Sequence, residues 1–134
     1  MRIMIDTNVL VSAFILNSQH ILKMIDEITI SHTIVLNTYI IDELKRITLK
    51  KFPNKYDAVE QFLIELPYQL VYSSDKISLS NYPHIRDIKD LPILASAIDE
   101  NVEILITGDN DLTVLKLKHP EILTSREFTN KYCK

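Results

Sequence analysis

Short apolar runs alternate along the chain with longer stretches in which apolar positions recur every three to four residues. Ile3-Met4-Ile5, Thr33-Ile34-Val35-Leu36, Gln69-Leu70-Val71-Tyr72, Val102-Glu103-Ile104-Leu105-Ile106 and Ile122-Leu123-Thr124 read as short strands, mostly buried. Helical period predicts a helix over 38–51, capped at Thr38, and a second over 54–66, carrying Tyr56, Val59, Phe62 and Leu66. A mostly apolar third helix is predicted over 91–100. Strands that alternate with helices pair in parallel through right-handed crossovers. The expected fold is therefore a three-layer α/β/α sandwich around a central parallel sheet of about five strands. The polar stretch 73–87, which contains Pro83, reads as one long loop.

A length of 134 residues suits a single domain over 1–134, and nothing in the pattern marks an internal boundary. The one cysteine, Cys133, cannot staple a fold, which points to a reducing compartment without disulfides. Asp6 interrupts any signal-peptide core, and no apolar run approaches the ~20 residues that span a bilayer. The expectation is a cytoplasmic protein that does not enter a membrane. Gly108 is the only glycine, so there is no phosphate-cradling loop and no dinucleotide fingerprint. In its turn, Gly108 is expected to supply a permissive backbone dihedral.

The polar residues at the predicted strand ends are mostly acidic. In an open parallel sheet, ligands bind at the carboxyl ends of the strands. Asp6 follows the first strand there, and Asp109 and Asp111 follow the fourth, after Thr107 and Gly108. Asp90 precedes the apolar helix Leu91-Pro92-Ile93-Leu94-Ala95 in the form of an N-cap, with Asp87 three residues upstream. Glu43 borders the apolar stripe Ile40-Leu44-Ile47 and is thus half turned inward. Carboxylates gathered on one rim repel unless hard cations lie between them, and an all-oxygen ligand set favours Mg²⁺ or Mn²⁺. The four histidines show no paired ligand spacing, which argues against zinc. Such a cluster suits phosphodiester hydrolysis by metal-activated water. A net charge of −3 argues against a generic cationic nucleic-acid binder but not against a nuclease, because bound ions cancel the charge of the cluster. Arg46, Lys50 and Lys51 form a candidate strip for RNA phosphates, against the alternative of an ordinary solvated helix face.

Each of these features also has a plain structural reading. Asp6 can be a strand-end turn residue, Asp90 a helix cap, and Asp109 and Asp111 members of a Gly-Asp-Asn-Asp turn. Glu43 can simply pair with Arg46 three residues on. Convergence on one rim shifts the balance toward function.

The same residues resemble a known family. Ile5-Asp6-Thr7-Asn8-Val9-Leu10-Val11-Ser12-Ala13 resembles the opening motif of PIN-domain proteins, and Asp42-Glu43-Leu44-Lys45-Arg46-Ile47 the second. Arg86-Asp87-Ile88-Lys89-Asp90-Leu91-Pro92-Ile93-Leu94-Ala95 resembles the third motif, Ile106-Thr107-Gly108-Asp109-Asn110-Asp111-Leu112 the fourth, and Ser125-Arg126-Glu127-Phe128 the start of the closing helix. The resemblance spans essentially the whole chain and is nearest to bacterial and archaeal toxin components of toxin–antitoxin systems related to VapC. It implies a metal-dependent endoribonuclease whose metal-holding acids are Asp6, Glu43, Asp90 and Asp109, supported by Asn8 and Thr107. Asp87 and Asp111 are supporting or alternative ligands. The resemblance further implies a cognate antitoxin protein and a homodimer. Two other readings stand beside it. One is a non-catalytic PIN-fold binding module. The other is an aspartate-nucleophile phosphatase, which would want an aspartate where Asn8 stands.

Overall fold

The computed structural model of the protein describes residues 1–74 and 77–133. Five strands form one sheet: β1 (Arg2–Ile5), β2 (Thr33–Asn37), β3 (Tyr68–Val71), β4 (Ile104–Ile106) and β5 (Glu121–Leu123). Their order is β3-β2-β1-β4-β5, and every pairing is parallel. The expected α/β/α sandwich around a parallel sheet is the observed fold. Helices α1 (Thr7–Phe14), α2 (Gln19–Ser31), α3 (Thr38–Lys51) and α4 (Tyr56–Glu65) connect β1 through β3. Helix α5 (Leu91–Asp99) leads back to β4, α6 (Asn110–Thr113) leads to β5, and α7 (Ser125–Tyr132) closes the chain. With right-handed crossovers, the connections out to β3 lie on one face and those out to β5 on the other. Strand order therefore reverses between β1 and β4, and a crevice opens at their carboxyl ends.

The central strands are apolar on both faces because both are covered. Ile3, Met4, Ile5, Val35, Leu36, Leu105 and Ile106 are fully buried, as parallel strands require. Edge strand β3 is covered less, with Gln69 and Leu70 exposed and Val71 buried.

Helices α1 and α2, and the short α6 where the sequence reads as a turn, are elements that the sequence pattern did not single out. Helix α2 buries Met24, Ile25 and Ile28, and the Ser18 hydroxyl accepts from the Ile21 amide to start it. The long loop is also more structured than expected. It contains a 3-10 turn at Leu79–Asn81 and is followed by another at Ile88–Asp90, while residues 75–76 lie outside the described residues. Among the described residues, no helix is long and apolar enough to cross a membrane.

Two expectations need correcting. Asn37, not Thr38, caps α3: its side-chain oxygen accepts from the Ile40 amide at 2.7 Å. Thr38 is already helical, and its hydroxyl instead meets the Ser73 hydroxyl (3.0 Å) and accepts from the Ser73 amide. Gly108 does not have a positive φ, and a Cβ built there would meet nothing within 4 Å. The turn after β4 therefore does not need glycine for its backbone.

Candidate active site

The crevice between the ends of β1 and β4 is built around Asp6, the residue that ends β1 and caps α1. It is only 4% exposed, because the Asp6 amide continues the sheet by donating to the Ile106 carbonyl of β4. One carboxylate oxygen, Oδ1, accepts from the Thr7 amide at 2.7 Å, and the other, Oδ2, accepts from the Thr107 hydroxyl at 2.6 Å. Thr107 is fully buried, and its hydroxyl also accepts from the Asp109 amide at 3.0 Å. One hydroxyl thus joins the first acid to the turn that carries the next pair. Burial pushes the Asp6 pKa up from 3.8 to about 6. The bonds from Thr107 and Thr7 oppose that rise, and the charges of Glu43 and Asp109 add to it.

Asp109 stands at the start of α6, where its Oδ1 accepts from the Asp111 amide at 2.8 Å. Carboxylate oxygens of Asp90, Asp109 and Asp111 all lie within 4.8 Å of one another. Asp90 occupies the cap position of α5, yet its side chain makes no capping bond. Capping in this turn falls to Asp87, whose Oδ1 accepts from the Lys89 amide at 3.0 Å. Asp90 Oδ2 is instead sealed from solvent, and no backbone or side-chain N–H donates to it. Burial raises the Asp90 pKa to about 7, helped by the Asp109 carboxyl at proton-sharing range and by the charges of Asp6 and Asp87. A buried carboxyl held among other carboxylates, where only a shared proton relieves the repulsion, is a group whose negative charge a hard cation would stabilise.

Glu43 lies in the second turn of α3, half-buried on the border of the apolar stripe, close enough for its charge to act on Asp6 and Tyr39. The four acids carried over by motif therefore share one electrostatic neighbourhood. The tightest carboxylate group is a different selection, however. Asp111, expected as a supporting acid, belongs to it with Asp90 and Asp109, whereas Asp6 and Glu43 flank it. Asn8 is exposed on the first turn of α1 at the same rim.

The candidate phosphate strip fares unevenly. Arg46 is exposed and its charge acts on Tyr39, beside the acids. Helix α3 begins at the carboxyl rim and runs back along the sheet, so at ~1.5 Å per residue Lys50 and Lys51 stand about 10 Å farther from the rim than Glu43. They do not line the cluster. Two cations beside the acids are ones the sequence reading did not select. Arg86 Nε donates to Asp111 Oδ1 at 3.0 Å, and Lys89 sits in the turn just before Asp90.

Two further residues hold the acids in place. Asn37 is fully buried; besides capping α3, its Nδ2 donates to Ser96 Oγ (2.9 Å) and to the Pro92 carbonyl (3.2 Å) of α5. It thereby ties the helix of Glu43 to the helix that follows Asp90. The Tyr39 hydroxyl donates to the Lys89 carbonyl at 3.1 Å and fixes the Asp90 turn from the other side. An asparagine at a strand end just before a helical run is a cap signal. Tyr39 carries no comparable signal, since its partner lies 50 residues away.

A family model described as PIN domain matches residues 2–111, a span that includes every acid described above. The chain belongs to the PIN-domain family. A chain of the crystal structure of VapBC2 from Rickettsia felis, bound to a DNA fragment from their promoter, superposes on this PIN domain with a TM-score of 0.70. The two are 20% identical, and the match covers 92% of this chain and 97% of that one. That likeness is one of fold. No curated protein sequence matches this PIN domain significantly.

Proposed function

We propose that this PIN domain is a divalent-metal-dependent endoribonuclease, and that it is the toxin of a toxin–antitoxin pair. The observation that carries the reading is the carboxylate group Asp90-Asp109-Asp111, with the Asp90 pKa raised by burial within it and Asp6 and Glu43 beside it. An all-oxygen donor set of this kind fits Mg²⁺ or Mn²⁺. Asp6, Glu43, Asp90 and Asp109 would hold the ion, with Asp111 as a further ligand. A bound ion would supply Lewis acidity at the phosphate and a nucleophilic water.

The chain's own residues do the remaining work. Thr107 and the Thr7 amide keep Asp6 oriented, and each carboxylate oxygen retains a lone pair for a cation. Tyr39 and Asn37 hold the Asp90 turn and the Glu43 helix at fixed separation. Arg46, Arg86 and Lys89 offer positive charge to a phosphate backbone in a protein whose net charge is −3.

The toxin reading draws on the fold shared with VapBC2, a toxin–antitoxin complex, and on the PIN family itself. It brings with it a protein antitoxin, a homodimeric state and a cytoplasmic setting. The phosphatase alternative is disfavoured because the position two residues on from Asp6, where that chemistry wants an aspartate as acid–base, is Asn8. An assay of RNA cleavage with Mn²⁺ tests the proposal: Asp6→Asn is expected to lose at least a hundredfold in rate while its melting profile stays cooperative. Full cleavage by that folded variant would refute the assignment.

A further inference from the structure

The acid cluster already carries one positive charge of the chain's own. Arg86 Nε donates to Asp111 Oδ1 at 3.0 Å, and among the described residues this is the one ion pair that reaches Asp90, Asp109 or Asp111. It runs to Asp111 rather than to Asp87, the arginine's neighbour in the chain, whose Oδ1 accepts from the Lys89 amide. The Arg86 side chain is 85% exposed and that of Asp111 only 19%. A mobile surface cation therefore rests on a carboxylate that is largely enclosed. This contact differs in kind from those that hold Asp6. The Thr7 amide and the Thr107 hydroxyl are neutral donors that leave lone pairs free, so they coexist with a bound cation. A guanidinium brings a full charge, which a divalent ion on the same carboxylate repels.

We propose that Arg86 is an internal counter-ion of the proposed metal site: it neutralises Asp111 while the site holds no ion, and it yields that carboxylate when Mg²⁺ or Mn²⁺ enters. The inference rests on the metal-dependent reading of the cluster. It adds a residue that sets the free-ion concentration at which the site fills. Three carboxylates whose oxygens lie within 4.8 Å of one another need positive charge nearby, and the guanidinium supplies part of it for Asp111. The pair is also one that an ion can displace. An exposed arginine loses little when it leaves its partner, because water solvates the freed guanidinium. Asp111 keeps its place without the arginine, since its amide stays bonded to Asp109 Oδ1 at 2.8 Å. Arg86 thus acts on the ion through Asp111 and is a positioning residue that opposes ion entry.

The test is calorimetric titration of chelator-stripped protein with Mn²⁺ at low salt, without RNA. It compares the wild type with Arg86→Gln, Lys89→Gln, Asp111→Asn and the double variant Arg86→Gln/Asp111→Asn. Arg86 and Lys89 are exposed, so their variants are expected to fold, and melting curves check this. Arg86→Gln should tighten Mn²⁺ binding about fivefold, and the gap from the wild type should narrow at high salt. Lys89→Gln removes an equal charge from the same segment, but no described ion pair joins Lys89 to the acids; it should change affinity by less than about twofold. With Asp111 replaced by Asn, removing Arg86 should have little further effect, which places the competition at that carboxylate. Should Asp111→Asn take up no Mn²⁺ at all, the contrast between Arg86→Gln and Lys89→Gln decides alone. Weaker binding by Arg86→Gln would overturn the proposal, by making the arginine a brace that aims Asp111 at the ion. Unchanged binding, or equal tightening by Lys89→Gln, would overturn it too. Each of these outcomes leaves the metal site itself standing. A folded wild-type protein that takes up no Mn²⁺ would instead remove the metal-dependent reading, and the counter-ion with it.

Discussion

The Thr107 hydroxyl donates to Asp6 Oδ2 at 2.6 Å across 101 residues of sequence, and it is the link that makes β1 and β4 one site. The same oxygen accepts from the Asp109 amide, so its removal strips a partner from each acid.

Thr107→Val keeps the shape and deletes both bonds. Because the Thr107 bond lowers the Asp6 pKa, its loss should raise that pKa further above 6. The variant should be less stable by about 2 kcal/mol, since a buried charge-assisted bond is lost and an amide is left unpaired. Thr107→Ser should restore most of the loss. Urea unfolding and a carboxyl NMR titration of Asp6 measure both quantities.

The raised pKa values of Asp6 and Asp90 imply a specific pH dependence for the protein stripped of divalent ions. Both acids hold their protons more tightly folded than unfolded, about 6 and about 7 against 3.8. Their stabilising contribution is therefore complete below about pH 4 and is lost as pH rises through 6 and 7. The ion-free protein should melt several degrees higher at pH 5 than at pH 8. Asp90→Asn should flatten that slope and raise the melting temperature at pH 8. Saturating Mn²⁺ should reverse the slope, because cations bind only the deprotonated acids. Thermal melts in chelator and in Mn²⁺ check all three.

Asn37→Ala should cost about 2 to 3 kcal/mol, from the lost α3 cap and from the Ser96 hydroxyl and Pro92 carbonyl left without their donor. Because Asn37 also fixes the spacing between the helix of Glu43 and that of Asp90, apparent Mn²⁺ affinity should fall even where the variant is fully folded. Urea midpoints separate the first effect, and Mn²⁺ titration below the unfolding range separates the second.

The parallel sheet was legible because its strands are continuous apolar runs, a pattern that only two covered faces produce. Ile3-Met4-Ile5 and Ile104-Leu105-Ile106 illustrate this. Proximity of the acids was legible for a related reason: Asp6 and Asp109 follow strands that must end on the same rim. What local pattern could not show was which carboxylates approach most closely. That depends on how the Asp109–Asp111 turn folds over the start of α5, and it brings Asp111 into the tight group. Lys50 and Lys51 looked adjacent because helix periodicity records direction around the axis and ignores height along it. Tyr39 and Arg86 were illegible as partners of the Asp90 turn and Asp111, since their contacts run through a backbone carbonyl and an irregular segment.

The account depends on carboxylates that tolerate one another by sharing a divalent cation. Calorimetric titration of chelator-stripped protein with Mn²⁺ at pH 7.5 tests this most directly. It should show saturable binding in the wild-type protein that is abolished in Asp90→Asn and strongly weakened in Asp6→Asn. A folded wild-type protein that takes up no Mn²⁺, or variants that bind it as tightly as the wild type, would contradict the account.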